Sequence, residues 1–110
     1  MPKPTIPSEI KLQADAIVAR FNVEQLRGQP WAHYVTNYRG MHLYLGHQRG
    51  GQFGPICRLT YTGDMQQWEF AIYKYSSGRY DPNEWMFDGV GEVDGTIEGA
   101  MRAGLKAYPT

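Results

Sequence analysis

The sequence holds one cysteine among 110 residues, which excludes an internal disulfide and suits a reducing compartment. It has no run near the roughly 18 apolar residues that a membrane-spanning helix needs. The segment Met1-Pro2-Lys3-Pro4-Thr5-Ile6-Pro7 lacks the apolar stretch of a secretory signal, and its prolines predict an extended, poorly ordered arm over residues 1–7. The expectation is a cytoplasmic protein with no membrane partner. Net charge is missing too. Eleven basic residues balance 11 acidic ones, so the cationic excess that phosphate binding requires is absent. No internal repeat and no low-complexity tract occurs, and the length fits one domain over residues 1–110.

The usual chemical motifs are lacking as well. Asp88, Glu92 and Asp94 sit among glycines, but the calcium-loop spacing fails: its third position is Val90 and its twelfth Gly99, where a bidentate glutamate is needed. Gly89-Val90-Gly91-Glu92-Val93-Asp94-Gly95 has neither a dinucleotide glycine fingerprint nor the Lys-Ser/Thr of a phosphate loop, and its acids would repel phosphate. His42 and His47 lie five apart, on opposite faces of one strand. No metal and no cofactor is expected. Nucleophilic catalysis would rest on Cys57 with His33, both on the apolar phase of their strands, where a thiol is inert.

What the chain does have is aromatic residues, at 14%, with eight tyrosines. Ile10, Ala14, Ile17, Val18 and Phe21 form a helical stripe that Ser8 can cap. Asn22 is a plausible stop, although Val23 to Arg27 could prolong the helix before Gly28 and Pro30 end it. Strand-like runs follow at 31–38, 41–48, 55–62 and 67–75, with a tight connection at Arg39-Gly40. A short fifth strand is expected near the end of 79–87. A closing helix begins near Asp94 or Thr96 and carries Ile97, Ala100, Met101, Leu105 and Tyr108 on one stripe. The predicted fold is α+β: an antiparallel meander of four or five strands with both helices packed on one face.

The segments Gly54-Pro55-Ile56-Cys57-Arg58-Leu59-Thr60-Tyr61, Trp68-Glu69-Phe70-Ala71-Ile72-Tyr73 and Gly78-Arg79-Tyr80, with the closing helix, are the basis of one resemblance. On them the chain resembles a small bacterial family of unknown function. The resemblance implies a helix, a meander with a Pro-Ile strand and a Trp-opened strand, and a closing helix. It implies no activity, ligand or catalytic residue.

Alternation along the strands sorts their residues into two sets. Trp31, Val35, Met41, Leu43, Leu45, Cys57, Leu59, Trp68, Phe70 and Ile72 form an apolar face for the helices. Tyr34, Tyr38, His42, Tyr44, Arg58, Thr60, Tyr73 and Tyr75 form the opposite face. Tyrosine is a good strand former, so these residues also suit plain cross-strand packing. As a site, Tyr34, Tyr38, His42, Tyr44, Arg58, Tyr73 and Tyr75 read as a protein-binding or homodimerising surface, where Tyr and Arg concentrate binding energy. Stacking of single-stranded nucleic acid is the alternative, aided by the loop Gly46-His47-Gln48-Arg49-Gly50-Gly51-Gln52-Phe53, and opposed by the charge balance and by Glu69. An enzyme using Cys57 and His33 is a further alternative. Charge is segregated: residues 80–110 carry six acids against two basic residues, the sign of either two poles or internal neutralisation.

Overall fold

A computed structural model describes residues 4–29, 33–49 and 51–108. It contains α1 (Ser8–Gln25), β1 (Tyr34–Arg39), β2 (His42–Arg49), β3 (Gln52–Thr60), β4 (Glu69–Lys74), β5 (Arg79–Asp81), a single 3-10 turn at Val90–Glu92, and α2 (Ile97–Ala107). The five strands pair in chain order, each antiparallel to the next, so the fold is the predicted α+β meander with N- and C-terminal helices. No helix among the described residues is long and apolar enough to cross a membrane.

Both helices cover one face. From α1, Ala14, Val18 and Phe21 are buried; from α2, Ile97, Ala100, Met101 and Ala103. They meet Leu43, Leu45, Cys57, Leu59, Phe70 and Ile72 of the sheet, the apolar set that alternation selected. Thr96 caps α2 by accepting the Gly99 N–H at 3.0 Å. Gly104 lets α2 come close, because a Cβ there would collide with Tyr34 Oη and Ile56 Cγ2.

Several expectations need correction. Ser8 does not cap α1: Pro7 takes that position with no side-chain bond, its carbonyl accepting from the Ile10 and Lys11 N–H groups. The helix runs past Asn22 to Gln25. Within the arm, Ile6 is buried at 2% exposure and its N–H donates to Gly40 O, so residues 4–7 dock on the fold. Met1, Pro2, Lys3 and Trp31, the last expected in the core, lie outside the described residues.

The first hairpin turns at Gly40-Met41, not Arg39-Gly40. Gly40 has φ of 59°, as the first central position of a two-residue hairpin turn demands, and Arg39 pairs with His42. That pairing places Tyr38 opposite Leu43, Thr36 opposite Leu45 and Tyr34 opposite His47. Directly opposed residues share a face, so the predicted phase of β1 is inverted: Tyr34 and Tyr38 face the helices. The glycine loop after Gly46 is also absorbed into structure, with Gln48 opposite Phe53 and Arg49 opposite Gln52. The fifth strand precedes Pro82, at Arg79–Asp81, instead of following it.

Between Leu45 and Gly46 the β2–β3 register shifts, leaving Ile56 as the extra residue of a bulge. Ile56 and Cys57 are consequently both buried, at 3% and 0%.

Candidate functional site

The face opposite the helices curves inward. Ring centroids of Tyr44 on β2 and Tyr80 on β5 lie 5.2 Å apart, although β3 and β4 run between them. A flat sheet would separate those strands by about 14 Å. Ala71, opposite Arg58 in the sheet, keeps only 3% exposure on the face with no helix. Tyr73 joins Tyr80 at 5.0 Å, Tyr75 joins Tyr73 at 4.8 Å and Tyr108, the residue that ends α2, joins Tyr75 at 5.4 Å. Most of these contacts are edge-to-face, the arrangement that aromatic quadrupoles favour. Tyr108 Oη donates to Tyr73 O and Tyr75 Oη to Pro55 O, so the end of this ladder is tied to the main chain.

Arg58 lies in the middle of the bowl. It stands opposite Tyr44 and Ala71 in the sheet, with its guanidinium carbon 5.6 Å from the centre of the Tyr80 ring. Its Nε is buried and meets no hydrogen-bond acceptor, and no carboxylate of the described residues pairs with it. Three cations of the second half differ: Lys74 pairs with Glu84, Lys106 with Glu92, and Arg102 with Glu92 and Asp94. These pairs also answer the charge segregation, since Glu84, Glu92 and Asp94 of the acidic stretch are neutralised within the fold.

His42 shares the bowl, with Nδ1 2.9 Å from Thr60 Oγ1 and its ring against Tyr44. Burial, then the Arg58 charge, hold its pKa below the ordinary value. Burial is also the main cause that pushes the Tyr80 hydroxyl up to about 12, with Arg58 opposing, so near neutral pH it remains a hydrogen-bond donor.

Of the seven residues named from sequence, the structure brings His42, Tyr44, Arg58, Tyr73 and Tyr75 to one face. Tyr34 does not belong there: it is 2% exposed, packs against Phe21 and donates to Met101 O at 2.7 Å. Tyr38 instead donates to Asp15 Oδ1 at 2.6 Å and to Lys11 O, under α1. Sequence reasoning left Tyr80 out of the site, ahead of the expected fifth strand, and gave Phe53 only to the glycine loop; its ring lies against Gly46, where a Cβ would collide with it. A Tyr directly after Gly78-Arg79 was the available signal for Tyr80.

The Cys57–His33 pair is not assembled. Cys57 is fully buried and burial raises its pKa far from thiolate formation, whereas His33 Nε2 lies 2.8 Å from Leu26 O. Among the described residues no three His, Cys, Asp or Glu side chains gather as metal ligands. The chain matches no known protein-family model, and no curated protein or solved structure is significantly similar to it.

Proposed function

We propose that this chain is a non-catalytic interaction module whose tyrosine bowl receives a protein segment bearing a carboxylate. The observation that carries the reading is Arg58, a half-buried cation inside an aromatic cluster that pairs with no carboxylate among the described residues, although Glu69 stands on the same face. A bound Asp or Glu would satisfy the guanidinium through charge-assisted bonds, and the tyrosine hydroxyls can donate to the same group. Aromatic rings around one desolvated Arg are the usual make-up of a binding hot spot. The partner differs from the chain itself at this face, since a symmetric contact centred on the bowl would bring the Arg58 guanidinium groups of two copies together. Base stacking fits less well, because the rings are engaged with one another.

The test is selection of peptides from a random display library against the protein, followed by titration of the winners. Winners are expected to carry Asp or Glu and to bind Arg58→Ala at least tenfold more weakly. Equal binding to Arg58→Ala removes the proposal. A salt-dependent response to oligothymidylate that depends on Arg58 replaces it with the nucleic-acid reading.

A further inference from the structure

The turn that inverts β1 also decides what stands beside the bowl. Tyr38 faces the helices, so by alternation Asn37 and Arg39 face the bowl side. Arg39 stands opposite His42, His42 opposite Thr60, and Thr60 opposite Glu69, so these four form one row across β1 to β4. The next row, about 7 Å along the strands, is Asn37, Tyr44, Arg58 and Ala71. Arg39 is exposed, and like Arg58 it pairs with no carboxylate among the described residues.

His42 stands on the strand between these two arginines. Thr60 engages its Nδ1, and its Nε2 has no partner among the described residues. When Thr60 donates to Nδ1, the neutral ring carries its proton on Nε2, and that N–H is a free donor. A protonated ring leaves it a donor too. Glu69 is the acid of the row, but it sits on β4. At about 4.8 Å per strand it lies about 14 Å across the sheet from Arg39 and about 10 Å from His42. Its charge therefore turns an incoming acid away from the β4 end and leaves the β1 end favourable.

We propose that the partner segment carries two acids, the first held by Arg58 in the bowl and the second by Arg39 with His42 at the β1 rim. This rests on the reading of the bowl as a carboxylate site and adds what that site selects. Arg58 and His42 are one strand and one row apart, about 8 Å between Cα atoms. Arg39 stands one strand beyond His42, with facing Cα atoms about 4.5–5.5 Å apart, a gap its long side chain can span. An extended segment lying along the strands presents alternate side chains to the sheet about 7 Å apart, so two acids separated by one residue match the two rows. Two guanidinium groups against the Glu69 carboxylate also give this face a positive bias in a chain that is neutral as a whole.

The probes are the peptides selected on the bowl, each remade with one acid at a time as its amide and titrated by fluorescence anisotropy. Selected peptides are expected to carry two acids separated by one residue. Arg39→Ala should weaken them about fivefold, the upper end for an exposed ion pair. Amidating the second acid should cost the same on the unchanged chain and nothing further on Arg39→Ala. Glu69→Gln should leave binding equal or tighter, and Arg20→Ala, which removes an exposed cation of α1, should leave it unchanged. Peptides with a single acid that bind through Arg58 overturn this inference and leave the bowl reading standing. So does a second acid whose removal costs as much on Arg39→Ala as on the unchanged chain. An equal loss from Arg20→Ala and Arg39→Ala reduces the effect to net charge and overturns it as well. Peptides indifferent to Arg58→Ala remove the bowl reading and this inference with it.

Discussion

The two faces of this one sheet treat their polar groups in opposite ways. Under the helices, Tyr34 is buried yet its hydroxyl reaches Met101 O, and Leu43, Leu45, Cys57 and Leu59 around it carry no charge. In the bowl, the Arg58 charge is half withdrawn from water and pairs with no carboxylate among the described residues. Burying a charge without a partner costs stability, so the first face is organised for folding and the second retains a group that folding does not need.

Substitutions should separate the faces by size and then by sign. Leu43→Ala removes a side chain with 0% exposure under the helices and is expected to lower unfolding stability by about 2–5 kcal/mol in urea titration. Tyr34→Phe leaves the packing but removes the hydroxyl's bond to the Met101 carbonyl, which keeps its place in the α2 ladder, an expected loss of about 0.5–1.5 kcal/mol by the same measurement. Arg58→Met in the bowl should do the reverse: stability unchanged or raised by up to about 1 kcal/mol, with peptide binding lost. A clear destabilisation by Arg58→Met would erase the contrast between the faces.

The smallest effect is a pH slope. His42 has a folded pKa below its ordinary value of 6.5, so between the two values the unfolded chain binds more protons than the folded one. Stability therefore falls as pH drops through that window. Melting temperature should decline modestly from pH 7.5 to 5.5, above the carboxylate range, and His42→Gln should flatten the slope.

Much of the fold was legible because apolar alternation and helical spacing report burial directly. Leu43, Leu45, Leu59, Phe70 and Ile72 landed where their pattern placed them. The phase of β1 did not, since Trp31 and Val35 suggested one face while the turn enforced the other. Moving the turn by one residue, to Gly40-Met41, carries Tyr38 to the side of Leu43. Tyr34 further defied its polarity because a buried hydroxyl is tolerated once it finds an acceptor, here 67 positions away. The adjacent apolar pair Ile56-Cys57 hinted at the bulge. The bowl was only partly legible: its residues alternate correctly, but the curvature that brings Tyr80 to Tyr44 arises from the assembled sheet.

The bond from Tyr34 to Met101 also sets a schedule. A ribosome adding about 5–20 residues per second needs roughly 3–13 s to cover the 67 positions between them. Within that interval the hairpins are completed before α2, and Leu43, Cys57 and Leu59 have only part of their cover. The emerging chain is therefore open to chaperones and proteases between completion of the sheet and the docking of α2, which closes that period.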